Sequence, residues 1–190
     1  MGKTTIGIMY DFDKTLCTTD MQNYDFIKRL GMEPAEFWAM ASVNTKKNSM
    51  DKILSYMYVM MRECKNKNIP LTEEYLNSLG GSIVYYRGVQ TWFDRINAFA
   101  ETLGVTIEHY IISSGTKEII EGSSIAKYFK KIYGCKFIYD PVTKEAIWPG
   151  MAINYTQKTQ YIFRISKGAL DEVDEEKLNM EIKDVRRAIQ

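Results

Sequence analysis

A short uncharged apolar run, residues 4–10 (TTIGIMY), stops abruptly at Asp11-Phe12-Asp13. Apolar residues without strict alternation over so few positions form the pattern of a strand buried in a parallel sheet. Parallel strands need crossover connections, usually helices, so this run commits the chain to an α/β architecture. It also delivers two carboxylates to the carboxyl end of the strand, where open α/β sheets bind their ligands. The rest of the chain has room for such a fold. Its 190 residues are 45% hydrophobic and 26% charged, with 25 Lys+Arg against 24 Asp+Glu for a formal charge of +1. That make-up is globular and removes a global electrostatic case for nucleic acid or an anionic membrane.

After Leu16 the pattern turns helical and stays so to about Gly80. Ile27 and Leu30 follow Tyr24 at helical spacing, and Met50, Ile53, Leu54, Met57, Met60, Met61 and Cys64 make a Met-rich stripe that reads as core. Asn68-Ile69-Pro70 breaks the helix, Thr72 opens another, and Gly80-Gly81 closes it. Beyond Arg87-Gly88 a helix with one apolar face spans residues 89–103. A second strand, 106–112, runs into Ser113-Ser114-Gly115-Thr116, with a helix expected over 117–125 and a third strand over 136–139. Turn chemistry at 140–144 allows residues 145–148 to return as a hairpin. A helix follows over about 158–166, then a polar one from Asp174 with Leu178, Ile182, Val185 and Ile189 as its stripe. The expected fold is a Rossmann-like parallel sheet with helices on both faces. Its core is discontinuous, 1–16 and 84–190, and residues 17–83 form an inserted α-helical cap.

Three features converge at the carboxyl ends of the strands. Asp11 and Asp13 suit a nucleophile with a general acid, or a divalent metal site. Ser113, followed by the small residues Ser114 and Gly115 and a helix start, offers a hydroxyl and backbone N–H groups to an anion. Lys158 lies near a helix start, where a cation is disfavoured by the macrodipole unless an anionic partner offsets it. His109, the one histidine, lies on the approach to the second strand and reads as structural. Cys17, Cys64 and Cys135 are far apart, make no CxxC pair, and suggest reduced thiols. No apolar window approaches a membrane span or a secretory h-region, so the expected compartment is the cytoplasm and no membrane partner is expected.

Residues 6–16, IGIMYDFDKTL, resemble motif I of the haloacid dehalogenase superfamily, hhhhDxDx[TV][LV]. Residues 111–121, IISSGTKEIIE, resemble motif II of its phosphoserine-phosphatase-like members, with Ser113 at the motif serine and Ser114 in place of the first glycine. Lys158 is similar to the motif III lysine, with Lys117 and Lys167 as alternatives. Arg87-Gly88-Val89 resembles the Pro-Gly-Val at which the core resumes after a helical cap of the C1 type. The resemblance implies Mg²⁺-dependent hydrolysis of a small phosphorylated metabolite. In that scheme Asp11 is the nucleophile that carries the phosphoryl group, and Asp13 is the acid and then the base. Ser113 would bind the phosphoryl oxygens, Lys158 would neutralise their charge, and Thr15 would support the motif I loop. Mg²⁺ would be held by the Asp11 carboxylate, the Asp13 carbonyl oxygen and phosphate. Asp20, seven positions after Asp13, would meet a substrate amine; its other reading is an N-cap.

Motif IV of that superfamily, a strand ending in an acidic pair, finds no match. Asp171, Glu172, Asp174, Glu175 and Glu176 follow no apolar strand and read as a solvated helix start. Two expectations follow. Metal affinity and turnover should be low, with a catalytically silent ligand- or partner-binding protein as the alternative function. Residues 4–10 should also form an open sheet edge, a place for self-association or for cover by the C-terminal helix.

Overall fold

The computed structural model describes residues 4–171. Four strands form one sheet in the order β1-β2-β3-β4. β1 (Thr5–Tyr10), β2 (Thr106–Thr116) and β3 (Phe129–Tyr139) run parallel, and β4 (Ala146–Met151) returns antiparallel on β3. The register sets Ile6 beside Ile107, Ile8 beside His109 and Tyr10 beside Ile111. Asp11 and Ser113 therefore emerge from the same end of neighbouring strands.

Helices flank both faces, as expected. α5 (Val89–Thr102) places Phe93 in an aromatic cluster with Tyr128, His109, Phe129 and Tyr10, at centroid separations of 4.7, 5.1, 5.2 and 5.7 Å. α7 (Tyr155–Lys167) covers the opposite face, with the Tyr161 ring 4.4 Å from that of Tyr133 and Ile165 beside Gly7. His109 is structural. Burial lowers its pKa, so the ring is neutral; Tyr10 O–H donates to Nδ1 at 3.0 Å, and Nε2–H faces Asn97 Oδ1 at 3.0 Å.

Between β1 and α5 lies the helical insertion: α1 (Phe26–Arg29), α2 (Pro34–Asn48), α3 (Lys52–Asn66) and α4 (Glu73–Ser78). Pro34 opens α2 at a first-turn position, where its missing N–H costs no helix bond. α3 is capped by the Asp51 carboxylate, which accepts from the N–H groups of Ile53 and Leu54, and α4 by the Thr72 hydroxyl, which accepts from Tyr75 N–H. Within the methionine stripe, Met57 and Met60 are fully buried and Cys64 nearly so, as core residues should be. Cys17, Cys64 and Cys135 are free buried thiols, pushed up to about 12, 12 and 11.

Several boundaries differ from expectation, each for a tertiary reason. The helix after β2, α6 (Lys117–Glu121), ends at Gly122, because Asn77 of α4 packs against Gly122 closely enough that a Cβ would lie 1.8 Å from its carbonyl oxygen. β2 continues to Thr116 across a register irregularity, pairing Thr116 with Cys135, and β3 begins seven residues earlier than the apolar run 136–139 suggested. β1 reads as a buried strand yet leaves Ile6 48% and Met9 37% exposed, since among the described residues β2 is its one neighbour. The C-terminal helix and stripe expected from Asp174 onward lie outside the described residues. Asp171, within them, pairs with Lys131.

Candidate active site

The chain turns immediately after β1. Thr15, Leu16 and Cys17 N–H groups all point to the Phe12 carbonyl, at 3.2, 2.9 and 3.2 Å, and Lys14 adopts φ 58°. This turn sends the two carboxylates in different directions. Asp11 Oδ1 accepts from Phe12 N–H at 2.8 Å and from Lys158 Nζ at 2.9 Å. Asp13 Oδ1 instead accepts from the Met21 N–H at 2.9 Å, at the entrance to the insertion. Burial, opposed by that hydrogen bond, pushes the Asp13 carboxyl up to about 7, with the nearby Asp20 and Asp11 charges adding to the rise.

Lys158 reaches Asp11 because α7 begins where it does. Asn154 Oδ1 accepts from Thr156 and Gln157 N–H at 3.1 Å each, and Gln157 Oε1 accepts from Asn154 N–H at 3.2 Å, a complete capping box. The lysine sits in the first turn, and the Asp11 carboxylate offsets its unfavourable place in the helix dipole. Among the three candidate lysines the geometry selects Lys158. Lys117 pairs with Glu121 at 3.0 Å, and Lys167 lies over the Phe163 ring.

Ser113 is fully buried, and its Oγ accepts from Gly115 N–H at 2.9 Å, so it organises the turn that carries Ser114 and Gly115. Gly115 has no room for a side chain. A Cβ there would lie 2.1 Å from Met21 Cε and 2.9 Å from Asp13 Oδ2, so the two motif loops touch through this glycine. Thr15 is exposed and contributes a backbone hydrogen bond to the Phe12 carbonyl. Asp20 precedes the 3₁₀ turn Met21–Asn23, but its side chain caps nothing; Oδ2 pairs with Lys14 Nζ at 2.7 Å. The N-cap reading of Asp20 is therefore wrong, because Lys14, swung out by the left-handed turn, competes for the carboxylate.

A cavity of about 470 Å³ opens between the insertion and these loops. Asp13, Asp20, Gln22 and Ser114 contribute from the loops, and one face each of α2 and α3 forms the remaining walls. Sequence reasoning missed the residues that join the two parts. Tyr56 of α3 donates to the Ser114 carbonyl at 2.8 Å, and Gln22 Nε2 donates to Thr116 Oγ1 at 3.3 Å. Trp38 of α2 donates to Asn23 Oδ1 at 2.8 Å. The helical spacing of Trp38, Ala41 and Thr45 in the sequence was the available signal for α2.

Among the described residues no group of three His, Cys, Asp or Glu side chains could hold a metal ion by itself. Asp11 and the main-chain carbonyl of Asp13 remain as hard oxygen donors at the strand ends. One carboxylate with the rest of the shell from phosphate and water is a donor set that suits Mg²⁺, which gives up its waters reluctantly. Among the described residues no helix is long and apolar enough to cross a membrane.

The architecture has solved counterparts. A haloacid dehalogenase (HAD) family hydrolase from Salmonella enterica serovar Typhi superposes with a TM-score of 0.59 over 86% of this chain, at 15% identity. The fold is that of the HAD hydrolases. A phosphoserine phosphatase captured as a phospho-aspartyl intermediate analogue matches with a TM-score of 0.53 over 95% of the chain and 76% of its own, at 15% identity. A phosphoserine phosphohydrolase-like protein from Francisella tularensis gives 0.52 over 90% and 75%, at 14% identity. The chain spans about half (51%) of the length of the Salmonella HAD hydrolase. In sequence, an uncharacterised protein of Borreliella burgdorferi is 29% identical over 195 residues, 90% of this chain and 67% of its own length. No protein-family model matches.

Proposed function

We propose that the chain is a phosphatase-type hydrolase that cleaves phosphomonoesters through an aspartyl-phosphate on Asp11. The observation that carries this reading is the 2.9 Å contact between Lys158 Nζ and Asp11 Oδ1 at the carboxyl end of β1. The pair is partly exposed, with side chains 26% and 45% accessible, and contributes at most about 1 kcal/mol to stability. Its chemical value is larger: it holds a cation where a phosphoryl group attacked by Asp11 would carry its negative charge.

Asp11 attacks phosphorus in line with the ester oxygen, forming the O–P bond of the acyl phosphate as the P–O bond to the alcohol breaks. The Asp13 carboxyl gives its proton to the departing alkoxide. With its pKa pushed up to about 7 by burial, the Asp13 carboxyl can hold a proton near neutrality, which suits a group that must next take a proton from water. The resulting hydroxide attacks phosphorus, releasing inorganic phosphate and regenerating the Asp11 carboxylate. Ser113 acts through the turn it organises, which aims the Ser114 and Gly115 backbone at the same anion. When bound at the Asp11 carboxylate and the Asp13 carbonyl, Mg²⁺ would supply further neutralisation of the phosphoryl charge. The likeness of the fold to a phosphoserine phosphatase supports the substrate class, and the balanced charge of the chain supports a small soluble substrate over nucleic acid.

Hydrolysis of p-nitrophenyl phosphate in the presence of Mg²⁺ tests this directly. The expected result is turnover that falls at least about a thousandfold in Asp11→Asn. Turnover indifferent to that substitution would place the chemistry elsewhere. Tight binding of aryl phosphates without turnover would leave the catalytically silent, ligand-binding reading.

A further inference from the structure

The cavity beside Asp13 has an order that the proposed reaction does not require. On α2, Trp38, Thr45 and Lys46 line it, and on α3, Lys52, Ile53 and Tyr56. Positions 38, 45 and 46 share one face of α2, and 52 and 56 share one face of α3, so each set is a stripe leading from the strand ends to the turn between the two helices. The inner end is fixed by Tyr56, whose hydroxyl is bonded to the Ser114 carbonyl, and by Trp38, whose ring stands edge-on to Tyr56 at 5.9 Å. The outer end is cationic. Lys52 lies one turn from Tyr56, ~6 Å along the axis, and Lys46 lies ~12 Å of helix beyond Trp38.

Neither ammonium, both exposed, belongs to an ion pair among the described residues. Lys52 occupies the first position of α3, next to the Asp51 carboxylate that caps the helix. The cavity thus runs from Asp13, Asp20 and Ser114, beside the strand ends, through an aromatic and aliphatic middle to Lys46 and Lys52. A ligand that fills about 470 Å³ is much larger than a three-carbon amino-acid ester, which would leave the aromatic walls wet.

We infer that the substrate is a phosphomonoester with a flat apolar body and a second anionic group, carboxylate or phosphate, roughly 10 Å from the reacting phosphorus. Lys46 and Lys52 read the distal anion, and Trp38 with Tyr56 flank the body. The inference rests on the proposed phosphatase reading for its orientation, phosphate inward, and names the substrate class of that same site.

Two aryl phosphates of matched size separate the elements: 3-(4-phosphonooxyphenyl)propanoate, with a distal carboxylate, and 4-propylphenyl phosphate, without one. The expected kcat/KM ratio favours the carboxylate by about tenfold or more, and the preference vanishes or inverts in Lys46→Glu/Lys52→Glu. The alanine pair Lys46→Ala/Lys52→Ala serves as a milder control and should reduce the preference without inverting it. Equal kcat/KM values for the two esters, or a preference that survives both double variants, would overturn the inference. Calorimetric titration of the same compounds into Asp11→Asn supplies a readout independent of turnover. Discrimination there, with neither ester turned over by the wild type, would sink the phosphatase reading and leave the distal-anion site standing, whereas equal affinity or no binding of either compound would remove the site.

Discussion

Asp13 shows how much a single residue can carry and how little of it a sequence displays. The spacing Asp-x-Asp at the end of an apolar run marks both carboxylates, but their division of labour is set by the turn at Lys14, which leaves Asp11 facing Lys158 and folds Asp13 against Met21. That Asp11 and Lys158 come together was legible because each lies beside the end of an element that periodicity can locate. Tyr56, Met21 and Gln22 were not, because their contacts join residues distant in sequence or depend on a loop conformation. The raised Asp13 pKa has a consequence for stability. Its folded value of about 7 exceeds the ordinary 3.8, so between these pH values the folded state holds a proton that the unfolded state has lost. The free energy of unfolding therefore falls as pH rises from about 4 to about 7, and the buried charge weighs against the fold above that. Asp13→Asn keeps the acceptor for Met21 N–H and removes the charge. Urea denaturation in metal-free buffer should find it more stable than wild type at pH 8, by on the order of 2 kcal/mol, and close to wild type at pH 4. Parallel pH profiles for the two proteins would show that Asp13 ionises freely.

At the scale of elements, local rules located the boundaries that short-range chemistry marks. Thr72 as a cap for α4, Gly88 before α5 and the hairpin return of β4 all follow from short-range chemistry, and the structure places them as that chemistry suggests. α6 ends early and β3 starts early because of packing by α4 and pairing with β2, neither of which leaves a periodic trace. α2 escaped separate notice because its apolar stripe is narrow: Phe37 and Ala41 are buried, and the adjoining positions line a cavity. The functional weight of an element boundary is clearest in α7, whose capping box positions the turn bearing Lys158. Asn154→Ala removes the acceptor of three hydrogen bonds, from Thr156 N–H, Thr156 Oγ1 and Gln157 N–H, and should cost about 1 kcal/mol, or a fall of roughly 2–4 °C in Tm. A cap that served stability alone would leave activity near wild type at temperatures well below Tm. The expected outcome is instead a kcat/KM for p-nitrophenyl phosphate reduced about three- to tenfold at 25 °C, because fraying of the first turn loosens Lys158 from Asp11. Asn154→Asp, which preserves the cap, should restore both quantities.

For the molecule as a whole, the open question is what meets the outer edge of β1. The α/β layering was legible from the alternation of apolar runs and helical stripes; among the described residues β2 is the one strand beside β1. That edge is poorly defended. It carries no charge and no proline over Thr5–Tyr10, whereas exposed edges in stable monomers are usually blunted by one or the other. Ile6 and Met9 stay 48% and 37% exposed, on opposite faces of the sheet, so a strand added here would gain apolar contact on both sides. Antiparallel pairing of β1 with a second copy about Gly7 would set Ile6 opposite Ile8 across the twofold axis, a match that keeps each copy's helices on the same face of a continuous sheet. The chain of residues 1–190 is therefore expected to associate with itself at micromolar concentration, and Ile6→Lys, which plants a charge on the edge, should shift it toward the 22.0 kDa monomer. Sedimentation velocity across a concentration series measures both. A wild-type chain sedimenting as a 22.0 kDa species at every concentration would mean that the edge is covered within the monomer. Association unchanged by Ile6→Lys would place the contact on another surface.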